Sequence, residues 1–176
     1  LFSLSRSALL GAGSAVALVG LPLMTQFVEA ATRATADDID SLNSALQLES
    51  AGIKAYADAA GTGFLAAPIL AVATRFMNDH AAHRDALAAA IVAGGGVPSK
   101  QIAALVYPPL RDQKDILEFA LAVERKAAST YLSIIEDLKD RKFASLSAAI
   151  LGVETTHVST LATALGLPVY PSAFVV

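Results

Sequence analysis

At 176 residues the chain has room for one well-buried domain and little for a second. Hydrophobic residues make up 55% of it and charged residues 16%, which excludes an intrinsically disordered chain, and 37 alanines favour helix over sheet. A net charge of −3 offers no basic footprint for nucleic acid. The complete lack of cysteine rules out disulfides, thiolate metal sites and a cysteine nucleophile, so any metal must be held by carboxylates and the three histidines.

The first element, residues 1–31, is a hydrophobic segment. Its uncharged run from Ser7 to Val28, between Arg6 and Glu29, would extend about 33 Å as a helix, enough to cross a bilayer. We expect a membrane anchor over residues 7–28, with Arg6 on the cytoplasmic side and the rest of the chain in the periplasm. Val28-Glu29-Ala30 before Ala31 also fits a cleavage site, and the alternative is an export signal whose removal leaves a soluble exported protein.

Residues 32–36 read as a linker and 37–176 as an all-α domain of four long helices with no two-residue alternation. The first helix is expected from Asp37 to Ala60, with Thr35 as N-cap and Gly61-Thr62-Gly63 as its stop. The second should run from Pro68 to Ala93, before three glycines, the third from Asp112 to Lys139, and the fourth from Phe143 to Leu165, closed by Gly166 and Pro168. Two connections are short and one, Gly94 to Arg111, is long and carries three prolines. That pattern predicts a four-helix bundle with one long crossover, in which Gln101 to Val106 could form a single helical turn. The tail from Leu167 to Val176 is apolar and interrupted by Pro168 and Pro171, so it should lie extended over the bundle.

Steps of three and four residues pick out the inward stripe of each helix. These are Ile39, Leu42, Leu46, Glu49, Ile53, Tyr56; then Ile69, Ala73, Phe76, His80, His83, Leu87, Ala90; then Leu117, Leu121, Glu124, Ala128, Tyr131, Ile135, Leu138; and finally Phe143, Ile150, Glu154, His157, Leu161. Each apolar row is broken at mid-length by carboxylate or imidazole. An uncompensated buried charge costs several kcal/mol, so Glu49, His80, His83, Glu124, Glu154 and His157 need a common partner. A divalent metal ion or pair supplies it; a buried hydrogen-bond network without metal is the alternative. Tyr56 and Tyr131 are expected to bond the ligands through their hydroxyls, and Asp79, one position off the stripe, is expected to be solvated.

The chain also repeats internally. Glu49 to Tyr56 aligns with Glu124 to Tyr131, and His80-Ala-Ala-His83 aligns with Glu154-Thr-Thr-His157, as two helical hairpins facing each other across an approximate two-fold axis would require.

These residues resemble the ferritin-like superfamily, and more narrowly the exported bacterial ferritin-like proteins of the desiccation-related type, which the Pro171-Ser172-Ala173-Phe174-Val175 ending also resembles. The superfamily pattern is a glutamate, a Glu-x-x-His, a glutamate and a second Glu-x-x-His on successive helices. Glu49, His83, Glu124, Glu154 and His157 match it, whereas His80 stands where the second-helix glutamate belongs. The resemblance implies a mono- or dinuclear transition-metal site, with Glu49 and Glu124 as terminal ligands, Glu154 as a bridge, and iron ahead of zinc, manganese or copper. It further implies redox or ferroxidase-like work, which the missing bridging carboxylate puts in question. The other expectation is an accessory subunit of a larger membrane complex whose metal site is vestigial.

Overall fold

The computed structural model of the protein describes residues 34–169. The anchor expected at 7–28 and the end of the apolar tail lie outside the described residues, and among those described no helix is long and apolar enough to cross a membrane. Four helices follow one another: α1 (Ala36–Gly61), α2 (Ala67–Ala93), α3 (Gln113–Asp137) and α4 (Arg141–Ala164).

Local sequence sets each boundary. Thr35 caps α1 by accepting the Asp38 N–H at 3.1 Å, Pro68 opens α2, Asp112 caps α3 and Asp140 caps α4. Because Asp140 takes the Lys142 N–H, α4 begins two residues before the expected Phe143. Gly94 and Gly96 let α2 end against the start of α1. A Cβ on Gly96 would stand 2.6 Å from Ile39, and one on Gly94 2.9 Å from the Phe143 ring.

Helices α1 and α2 form one antiparallel hairpin and α3 and α4 the other, with α1 packed on α3 and α2 on α4. Asp38, buried at the start of α1, accepts the N–H groups of Lys139 (2.8 Å) and Asp140 (3.0 Å) in the turn after α3. Asp38 thereby locks the two hairpins together at one end and fixes α1 and α3 as antiparallel.

The long connection runs back along α1 to the start of α3, as expected of a crossover, but Gln101 to Val106 forms no helical turn. Several of its polar groups are taken up by α1 instead. Ala103 N–H bonds the Gln47 carbonyl (3.1 Å), Ser99 N–H bonds Asn43 Oδ1 (2.7 Å), the Asn43 amide donates to the Val97 carbonyl, and the Tyr107 hydroxyl donates to Asp58 (2.9 Å). Within Gln101 to Val106 the Ala103 N–H is the one backbone group bonded to α1, and most of that stretch is exposed, so water can take the remaining groups in place of a helical ladder.

The core has two main apolar clusters, one around Leu42, Leu46, Leu87, Ile91, Tyr131, Phe143 and Ile150, the other around Tyr56, Phe76, Leu117, Leu121 and Leu161, and a smaller third of Ala55, Phe119 and Val123 against which Leu105 and Leu110 of the crossover pack. At about 1.5–3 kcal/mol for each large side chain fully buried, the two main clusters hold the bundle closed around the polar layer that separates them. The inward stripes follow expectation at most positions. Gly52 is buried in place of Ile53, Ile91 in place of Ala90, and Ile134 in place of Ile135, because a straight helix of 3.6 residues per turn drifts from a fixed three–four alternation. The tail residues Leu167 and Val169 are exposed rather than packed, at 44% and 40%.

Candidate metal centre

All six side chains singled out in the sequence meet at mid-height of the bundle, between the two apolar clusters. Glu49, His80, Glu124, Glu154 and His157 are each at most 2% exposed, and His83 lies nearest solvent at 11%.

His80 is at the centre. Its Nδ1 is 2.7 Å from Glu49 Oε2 and 3.8 Å from Glu154 Oε1, and its Nε2 is 3.2 Å from Glu124 Oε1. His83 Nδ1 lies 3.0 Å from Glu154 Oε1 and 3.4 Å from Glu49 Oε2. On the other side, His157 Nδ1 lies 3.4 Å from Glu124 Oε2 and 3.9 Å from Glu154 Oε2. The tyrosines cross between hairpins: Tyr56 of α1 donates to Glu124 of α3, and Tyr131 of α3 donates to Glu49 of α1. The internal repeat of the sequence is thus a two-fold pattern of bonds in space.

Several of these atoms have no hydrogen-bond partner although they are buried: both oxygens of Glu154, Glu124 Oε2, His83 Nδ1 and His157 Nδ1. An unsatisfied buried polar group costs about 1–3 kcal/mol, and orphaned donor atoms that converge on the same two points fit a pair of cations. Two overlapping groups result, Glu49–His80–His83–Glu154 and His80–Glu124–Glu154–His157, each able to offer one ligand atom per residue with all four atoms within 4.8 Å of one another. His80 and Glu154 belong to both.

The electrostatics show how these groups coexist without an ion. Burial opposes protonation of His80, but the carboxylates of Glu124 and Glu49 outweigh it and push the imidazole up to about 11. Burial likewise opposes the His83 proton, and Glu154 and Glu49 carry that imidazole up to about 9. Glu154 is pushed up to about 8 by burial and by the neighbouring Glu124 and Glu49 carboxylates, against the pull of His83. Burial pushes Glu49 and Glu124 upward, but the nearby imidazoles, His80 and His83 for the first and His157 and His80 for the second, outweigh it and hold both below their ordinary value. The directions are complementary: His80 and His83 favour the protonated form, Glu49 and Glu124 the ionised form, and Glu154 is the one carboxyl held toward its protonated form.

Three supporting residues were not legible as such in the sequence. Asp79, expected to be solvated, is only 21% exposed; its Oδ2 is 3.4 Å from His157 Nε2, and Arg75 holds it at 2.9 Å. The signal was its spacing of four from Arg75, which draws it across the helix surface. Gly52 lies beneath the His80 ring, where a Cβ would stand 3.1 Å from three ring carbons; a mid-helix glycine, about 1 kcal/mol worse than alanine, was its only mark. Phe76, placed in the stripe as core, stacks on His157 with ring centroids 3.8 Å apart.

Carboxylates and imidazoles drawn from all four helices into a bundle core resemble the dinuclear metal sites built between the helices of ferritin-like bundles. The chain belongs to the ferritin-like domain family, whose profile matches residues 37–167. No curated protein matches it. Among solved structures it is similar to ferritin-like, diiron-carboxylate proteins from Bacillus anthracis str. Ames (24% identity, 74% of this chain and 99% of that one, TM-score 0.66). It is also similar to a conserved hypothetical protein from Mycobacterium tuberculosis (18% identity, 79% and 97%, TM-score 0.68). A third similar structure is Rhodobacter capsulatus bacterioferritin, described with a metal-free dinuclear site and heme iron (23% identity, 76% and 86%, TM-score 0.66). At these identities the likeness is one of fold.

Proposed function

We propose that this chain is a ferritin-like protein, membrane-anchored or exported through its segment at 7–28, that holds a dinuclear transition-metal centre in its two overlapping clusters. The observation that carries this reading is the convergence of buried, partnerless ligand atoms from four helices. Glu49 and His83 would hold one ion and Glu124 and His157 the other, with His80 and Glu154 between them. Iron is the first candidate, in line with the diiron-carboxylate and dinuclear descriptions of the Bacillus and Rhodobacter structures; zinc, manganese and copper suit the same donors.

A redox-active pair would supply electron transfer of the ferroxidase or peroxide-consuming kind. The protein's own residues prepare for it. Tyr56 and Tyr131 orient the two terminal carboxylates, and Asp79 orients His157. Phe76 and Tyr56 wall the layer off from an apolar cavity of about 90 Å3, which Leu117, Leu161 and Ile69 also line. A cavity of that size and lining suits a small apolar reactant such as dioxygen. Elemental analysis of natively purified protein tests the reading: two metal ions per chain are expected, with loss on Glu154→Ala, and no metal above background in the wild type overturns it.

One observation favours a second reading, an accessory subunit of a membrane complex with a vestigial site. His80, in place of a carboxylate, bonds Glu49 and Glu124 directly, so two of the layer's three carboxylates are compensated without any ion. Detergent extraction and mass measurement decide, since this reading expects a larger stable assembly and no metal.

A further inference from the structure

We propose that His80 bridges the two metal ions through both of its ring nitrogens, so that the centre is joined by an imidazole ring and one carboxylate rather than by two carboxylates. The inference rests on the dinuclear reading above and adds the role of the one residue that departs from the family pattern.

The geometry around the ring points to this role. A histidine that ligates one metal normally gives its other nitrogen to an outer partner, a carboxylate or carbonyl that is not itself a ligand. His157 is built that way: Nδ1 faces Glu124 and Glu154, and Nε2 faces Asp79 at the bundle surface. His80 has no such outer partner. Nδ1 faces Glu49 and Glu154, the donors of one cluster, while Nε2 faces Glu124, a donor of the other. Glu154 is divided in the same sense, with Oε1 toward His83 and Oε2 toward His157. The two residues common to both clusters therefore each present one atom to either side.

The ring is also held in the plane that a bridge needs. Gly52 lies flat beneath it with no Cβ to intrude, and Tyr56 stacks near it at a centroid distance of 5.5 Å and 29° between planes. In this packing the two nitrogens have opposite bearings, Nδ1 toward Glu49 and Nε2 toward Glu124. Each ion would then have two nitrogen and two oxygen donors, a set suited to zinc and copper as well as iron.

The proton balance is simple. The His80 imidazolium carries hydrogen on both nitrogens. Each ion would displace one of these two protons to solvent, leaving an imidazolate whose two lone pairs bind one ion each.

Zinc-loaded crystals of the wild-type protein, measured at the zinc absorption edge, test the bridge. The expected result is two anomalous peaks per chain, each about 2.0–2.1 Å from a different nitrogen of His80. Two zinc ions with His80 bound to one or neither would overturn the bridge and leave the dinuclear reading intact. No zinc, and no iron by elemental analysis of the same preparation, would overturn both. In solution, copper(II) loading followed by electron paramagnetic resonance gives an independent readout. Two coppers per wild-type chain should be magnetically coupled, with most of the signal lost, and His80→Gln, checked for its fold by circular dichroism, should restore it. Full uncoupled intensity in the wild type, or coupling that survives in His80→Gln, would count against the bridge.

Discussion

A single glycine decides how His80 sits. Gly52→Ala should raise the intrinsic helix preference of α1 by about 1 kcal/mol, yet its Cβ would meet three His80 ring carbons at 3.1 Å. The expected outcome is a thermal midpoint that changes little, with metal affinity reduced about 10–100-fold, as for other supporting-shell changes; isothermal titration with zinc measures it. An unchanged affinity would show that the ring has room to move. The tyrosines give a second prediction at the same scale. Tyr131→Phe leaves Glu49 Oε1 without its donor and should cost about 1–3 kcal/mol in denaturant unfolding of the metal-free protein, as should Tyr56→Phe through Glu124. The tyrosine contacts were legible in the sequence because residues seven apart on a helix share a face. The Gly52 and Asp79 contacts were not, since a glycine has no polarity to mark it and Asp79 lies off the inward stripe.

At the scale of elements, Asp38 carries more than its place in the first turn of α1 suggests. It is 1% exposed and accepts two backbone N–H groups from the α3–α4 turn. Asp38→Ala would leave both part-buried donors without their carboxylate and should cost about 1–3 kcal/mol by chemical denaturation. Asp37→Ala, at its exposed neighbour, should change stability by no more than about 0.5 kcal/mol. Helix number, order and approximate ends followed from caps, glycines and apolar period. The missing turn at Gln101 to Val106 did not, because the crossover is tied to α1 just before it, where Asn43 and Gln47 bond Val97 and Ser99 across more than fifty positions of sequence, and no local pattern reports such a partner.

For the whole molecule, the buried layer couples stability to pH, with opposite signs in the two metal states. In the metal-free protein His80 and His83 hold their protons up to about 11 and about 9, against an ordinary value of 6.5. Their stabilisation is complete below 6.5 and is lost as pH rises through those values. Glu154, raised to about 8 from 4.5, acts in the same direction, since its folded-state proton is lost as pH climbs. Glu49 and Glu124, both lowered from 4.5, contribute above that value and fail as pH falls through their depressed folded values. Metal-free protein should therefore melt at a higher temperature near pH 6 than near pH 9. Metal must displace the protons on His80, His83 and Glu154, so affinity, and the stabilisation it brings, should rise with pH over the same range. Calorimetric scans of chelated and zinc-loaded samples check both signs; a metal-free midpoint that climbs from pH 6 to pH 9 would refute the charge assignment.

By itself the sequence determined an all-α chain of four amphipathic helices in two repeated hairpins, with six ionisable residues on their inward faces, because apolar period, caps and connection lengths are local properties that survive without knowledge of neighbours. Only the tertiary structure decided how those six residues divide. Glu154 and His80 each point one atom to either side, His157 leans on Asp79, and His80 rests on Gly52. These relations depend on side-chain rotation and on the approach of helices distant in sequence, and both are set only when the two apolar clusters close around the polar layer.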